Sequence, residues 1–116
     1  MYSLFVTRFM ELVKIVIYAP LSHADLVRQT LGEAGAGELG NYRFCSFSVR
    51  GVGRFLPTKD ATPAIGEPGT FEAIEEERIE VVCPKEIARK AIEAVRAVHP
   101  YEEMAYEVYP LLNNVV

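Results

Sequence analysis

Several things are scarce in this chain, and each scarcity excludes something. There is no tryptophan, and only two cysteines and two histidines occur among 116 residues. Cys45 and Cys83 are far apart and have no CxxC spacing, so the chain has neither a disulfide framework nor a cysteine-based metal knuckle. Each sits in an apolar stretch, which predicts two reduced core thiols in a cytoplasmic protein. No run of about 18 apolar residues occurs, so nothing in the sequence is a membrane-spanning helix. Positive charge is also short: Lys and Arg total 12 against 16 Asp and Glu, for a net charge of −4. A basic face that would displace phosphate counterions is missing, which argues against a nucleic-acid partner. G-x-S-x-G, H-E-x-x-H and the phosphate-loop signature are all absent, and no nucleophile stands beside a plausible base, so an enzyme is the less favoured reading.

What is present is an ordinary globular composition, 50% apolar and 24% charged, at a length that suits one domain. The first nine residues, "MYSLFVTRF", carry no pattern and no basic leader. They are expected to be an extension, with Met10 as the true start and residues 10–116 as a single domain. Patterned sequence begins with "LVKIVIY" from Leu12 to Tyr18, a β-branched run typical of a central strand buried on both faces. Pro20 stops it. Ser22 and Asp25 then suggest a helix cap, and Ala24, Val27, Leu31 and Ala34 fall on one helical face. Gly35 stands where a left-handed cap is needed.

The same unit recurs. "RIEVVCP" reads as a strand ending at Pro84, and a helix follows with Ile87, Ala91, Val95 and Val98 on one face, ended by Pro100. Between the units, Asn41–Arg50 alternates as a strand. Gly51 and Gly53 suggest a turn into a second short strand ending at Pro57. "TKDATPAIGEPGT" must be loop, and the glutamate-rich stretch from Glu72 to Glu80 reads as a solvated arm that becomes core near Ile79. Met104–Tyr109 alternates with period two, which predicts a last strand. The order β-α-β-β-α-β predicts an α+β, ferredoxin-like fold with an added β-hairpin arm.

Candidate ligands are few. "GAGELG", Gly35–Gly40, has the spacing of a dinucleotide loop but follows a helix and precedes a strand, so it reads as a helix cap and turn. His23 opens the first helix, where the dipole favours a neutral imidazole. It is either a solvent-facing first-turn residue or a metal ligand. His99 closes the second helix and suits its negative end. Glu102 and Glu103 lie near enough in sequence to join His99 on a divalent metal ion or a small ligand. A metal normally needs three or four ligands, and H-P-x-E-E is no established ligand spacing.

Taken together, "HPYEEMAYEVYPL" from His99, "GEAGAGELGNYRFCSF" from Gly32 and the loop bearing Pro57, Pro63 and Gly66 resemble the PII/CutA-like insert domain of YqfO-type (Nif-three-like) proteins. The resemblance covers about residues 10–112. It implies the ferredoxin-like fold and a homotrimer, as in PII and CutA relatives, and it implies no catalysis. The dinuclear-metal domains that flank the insert in those proteins have no counterpart in these residues, so their metal site does not carry over. The expected function is a non-enzymatic, regulatory or scaffolding trimer. It would bind a small molecule or divalent metal in a cleft between subunits, lined by the Pro57–Gly69 loop and the His99–Glu103 turn. Accessory enzyme chemistry and a purely structural trimerisation module are the alternatives. The segment from Asn41 to Pro57 and the tyrosine-rich last strand are the expected interface.

Overall fold

The computed structural model describes residues 11–112. The extension expected at residues 1–9 lies outside them. Four strands, β1 (Leu12–Pro20), β2 (Phe47–Phe55), β3 (Glu72–Pro84) and β4 (Tyr106–Pro110), form one antiparallel sheet in the order β2-β3-β1-β4. Helix α1 (Ala24–Glu33) joins β1 to β2, and α2 (Lys85–Arg96) joins β3 to β4. This is the ferredoxin-like α+β plan that the sequence predicts.

Cross-strand partners share a face of the sheet. Val13 with Cys83, Ile15 with Val81 and Ile17 with Ile79 all point to the helices. They meet Ala24, Val27 and Leu31 of α1 and Ala88, Ala91, Ile92 and Val95 of α2 in one core. Ile15, Ile17, Leu31, Ile79, Val27 and Val95 are fully buried, each contributing about 1.5–3 kcal/mol by removal from water. Cys83 belongs to this core, and burial pushes its thiol pKa up to about 11. Cys45 departs from expectation: it is half-exposed in the α1–β2 loop.

Among the described residues, no helix packs on the second face of the sheet. It carries Lys14, Tyr18, Arg78, Glu80, Glu107 and Tyr109 around the buried Val16. Lys14 and Arg78 both pair with Glu80, at 3.2 and 3.1 Å, and the Lys14 ammonium leads in holding that carboxyl below its ordinary range.

Local details correct the sequence reading at five points. Ser22 does not cap α1; residues Leu21–His23 form a 3-10 turn, and the Ser22 hydroxyl meets His23 Nδ1 at 2.8 Å. Asp25 pairs with Arg28 at 2.5 Å instead of completing a cap. The strand expected over Asn41–Arg50, with a turn at Gly51 and Gly53, is one unbroken strand, Phe47–Phe55, because the long β3 supplies a partner to every residue of it. Helix α2 ends at Arg96, before Pro100, with Ala97 as its cap. The last strand starts at Tyr106; Met104 is buried ahead of it as a core plug.

Gly35 does cap α1. At φ 98° it lets Ala36 donate to the Leu31 carbonyl at 3.0 Å and lets its own N–H reach Gly32 at 3.0 Å, the paired bonds of a Schellman motif. The glycine-rich "GAGELG" is therefore a helix exit. Beyond Ile79, β2 and β3 run on as an arm that no helix of the described residues covers, and the described chain extends 52 × 24 × 23 Å.

Candidate functional site

The arm ends in the loop of residues 56–71. Its neck is closed by Gly69 donating to the Pro57 carbonyl at 2.7 Å, and Gly66 and Gly69 take the positive φ values, 88° and 86°, that its turns need. The loop folds back over the 99–103 turn. Thr62 N–H donates to Glu102 Oε1 at 2.9 Å and pins the two segments together. Between them lies a cleft of about 590 Å³, lined by the loop, the arm, Tyr18, Tyr101, Glu102 and Glu103. That volume is in the range of small-molecule sites.

His99 supports this cleft from beneath. It is buried, with a relative exposure of 8%. Its Nε2 lies 2.8 Å from the Tyr18 carbonyl, which accepts only, so Nε2 carries the proton. Nδ1 is then free to accept from Tyr101 N–H at 3.2 Å. Burial holds this imidazole below the ordinary histidine pKa, assisted by nearby His23 and opposed by the bond to Tyr18. The backbone amide of His99 bonds the Val95 carbonyl, so the residue does continue the helix end, while the ring serves β1 and the turn.

Tyr101 comes next. Its ring sits edge-on to His99 at 4.8 Å, and its hydroxyl donates to Glu76 Oε2 at 2.8 Å. Burial first, then the Glu76 carboxylate, raises the phenol pKa, so the hydroxyl stays protonated. Glu76 lies over Gly53 on the neighbouring strand, where a Cβ would overlap its carboxylate. A glycine in the middle of a strand thus makes room for an acid in the cleft wall.

The structure places the four sequence-derived candidates differently from one another. Glu102 and Glu103 line the cleft; His99 does not, since both ring nitrogens are engaged below it. His23 is half-buried near His99 and bonded to Ser22, outside the cleft lining. Among the described residues, no group of three or more His, Cys, Asp or Glu is arranged to hold a metal ion. A metal set of His99 and Glu102 would first have to break the His99 hydrogen bonds. Glu76, Tyr101 and Gly53 are the residues that sequence reasoning missed. They come from separate elements and share no local spacing. Gly51 and Gly53, set among strand-forming residues and followed in sequence by an acidic run, were the available signal.

A second, smaller cleft of about 370 Å³ lies at the other end of β1, between the α1–β2 loop and the open face of the sheet, with Cys45 and Cys83 in its lining. No helix of the described residues is long and apolar enough to cross a membrane.

No family model matches the chain. Curated relatives do: over 104 residues it is 44% identical to a protein of Halalkalibacterium halodurans named GTP cyclohydrolase 1 type 2 homolog, covering 90% of this chain and 28% of that one. The chain therefore spans about a quarter of the length of such relatives. Among solved structures, a Bacillus cereus protein related to NIF3 superposes with a TM-score of 0.77 at 47% identity, over 89% of this chain and 26% of that one. The CutA divalent cation tolerance protein of Archaeoglobus fulgidus gives 0.64 at 21% identity, over 87% and 84%. GlnK of B. subtilis, solved with ATP, gives 0.60 at 16% identity, over 87% and 82%. The last two show the fold alone.

Proposed function

From a chain homologous to a quarter-length segment of the NIF3/YqfO-type proteins and sharing the PII/CutA fold, we propose a non-enzymatic homotrimer that binds a small organic ligand. Its role is regulatory or scaffolding, in a cytoplasm that keeps Cys45 and Cys83 as free thiols. The observation that carries the reading is the cleft of about 590 Å³ between the Pro57–Gly69 loop and the 99–103 turn. It is concave and mostly apolar, with a few polar groups held by hydrogen bonds, which is the make-up of a small-molecule site. Those hydrogen bonds, Tyr101 to Glu76 and Thr62 to Glu102, join groups of the wall to one another. Neither sets a nucleophile against a base, so the reading is binding without chemistry. His99 is a positioning residue beneath the cleft, and the donor arrangement favours an organic ligand over a divalent metal.

The open sheet face supports assembly. Phe47, Val49 and Tyr109 stand 65%, 45% and 42% exposed on it, and both β2 and β4 are edge strands. Uncovered edges and aromatics at one face favour pairing between copies. Native mass spectrometry at low micromolar concentration is expected to show trimer; monomer alone would remove the assembly. A thermal-shift screen of metabolites, nucleotides and divalent ions tests binding, since a ligand of the native state raises its melting temperature. Stabilisation by an organic compound that is lost in a Tyr101→Ala variant is the expected result. Stabilisation by divalent ions alone would restore the metal reading.

A further inference from the structure

We propose that this cleft selects an organic cation, a protonated amine or amidine carried on an apolar body; this rests on the cleft being the ligand site. Three carboxylates line it, those of Glu76, Glu102 and Glu103, against one guanidinium, that of Arg54. Elsewhere in the described chain Glu11, Asp25, Glu38, Glu77, Glu80 and Glu93 each meet a lysine or arginine, while other acids, such as Glu33, Glu75 and Glu86, stand without one. Among the described residues, none of the three cleft glutamates has such an ion-pair partner within 4.0 Å, and neither has Arg54.

Two of the carboxylates are held in place without being neutralised. Glu76 receives the Tyr101 hydroxyl on Oε2, and Glu102 receives Thr62 N–H on Oε1. Each bond fills one of about four lone-pair positions of a carboxylate, so both keep acceptor capacity. Neutral donors orient them and leave their charge uncompensated. A cation entering the cleft gains attraction from carboxylates that have no ion-pair partner of their own. The rest of the wall is apolar, with Phe55, Leu56, Pro63 and Ile65 among its residues. An ammonium near the glutamates and an apolar body against these side chains satisfy both parts together. Tyr18 and Tyr101, also in the wall, add aromatic rings that suit a cation.

Three probes that share a phenethyl body separate the possibilities: phenethylamine, 3-phenylpropanamide and 3-phenylpropanoate, titrated into the ¹⁵N-labelled full chain and followed by amide shifts. Phenethylamine is expected to shift amides of the loop and the 99–103 turn. It should bind about fivefold tighter than the amide, the upper end of what one partly exposed ion pair contributes, with the carboxylate probe weakest. The double variant Glu76→Gln, Glu103→Gln keeps an acceptor for Tyr101 and should bring amine and amide to within about twofold, again on the scale of one ion pair. Gly53→Ala retains every charge but displaces the Glu76 carboxylate, and should reduce the preference too. Equal binding of amine and amide, or tighter binding of the carboxylate probe at Arg54, overturns the cation preference and leaves the ligand site standing. Absence of cleft shifts with all three probes overturns both.

Discussion

Strand β3 passes through two environments. From Ile79 to Pro84 its alternate side chains Ile79, Val81 and Cys83 are sealed beneath the helices, whereas from Glu72 to Arg78 none is fully buried. The first stretch is held by apolar packing. The second depends on the β2 ladder and on side-chain bonds to the body, chiefly Arg28 of α1, which meets Glu77 and donates to Ser48 at 3.1 Å. One strand therefore serves as core at one end and as a scaffold for the cleft at the other. Stability is concentrated where the helices are, and the candidate site is built where they are not, a division common to proteins whose sites must open or adapt.

Breaking the packed end should cost most. Ile17→Ala removes a fully buried side chain between β3 and β4, and is expected to cost about 3–4 kcal/mol in denaturant unfolding. His99→Ala, at the junction of body and cleft, leaves the Tyr18 carbonyl and the Tyr101 amide without their partner. A loss of about 2 kcal/mol is expected, together with altered amide shifts in the 99–103 turn.

The same histidine makes stability depend on pH. Its folded-state pKa lies below the ordinary 6.5. The contribution is therefore complete above about pH 6.5 and is lost as pH falls from there through the folded value, because only the unfolded chain then takes up the proton. Denaturant midpoints measured down through this window should fall for wild type and fall less steeply for His99→Ala. Equal slopes would mean that the carboxylates dominate.

Arg28→Met should cost about 1 kcal/mol, since the guanidinium is partly exposed. Its sharper effect should be faster hydrogen exchange of β2 amides, while β1 is unchanged. Smallest of all should be Val52→Thr on the bare arm. Val52 is 50% exposed, and a change within about 0.5 kcal/mol is expected. A large loss there in the assembled protein would mean that the arm is covered by another copy.

The fold was largely legible because its signals are local. Seven residues from Leu12 to Tyr18 declare a central strand, and Ala24, Val27, Leu31 and Ala34 declare the face of a helix. Gly35 ends that helix as its neighbours require. Errors arose where local and non-local signals compete. Gly51 and Gly53 have turn chemistry, yet they lie in an extended ladder because β3 is long enough to pair with them. Pro100 forbids helix, but α2 had already ended at Arg96, and the chain then turns inward to bury His99. Cys45 stands in apolar surroundings in sequence yet lies outside the core, because the loop around it closes on itself through Cys45 N–H to Gly37 O at 2.8 Å.

By itself the sequence determined the order of elements, the core faces and the two segments that border the cleft, since each depends on periodicity or on glycine and proline within a few residues. Only the tertiary structure decided what those segments do together. His99 was available as a ligand until folding placed its ring between Tyr18 and Tyr101. Glu76 was one acid in a run of glutamates until sheet pairing opposite Gly51 let its carboxylate reach over Gly53 to the Tyr101 hydroxyl, a contact that spans 25 residues of chain. The physical reason is the range of the interactions. Secondary structure answers to neighbours a few residues away, whereas the charge and shape of a cleft answer to groups that only the folded chain brings together.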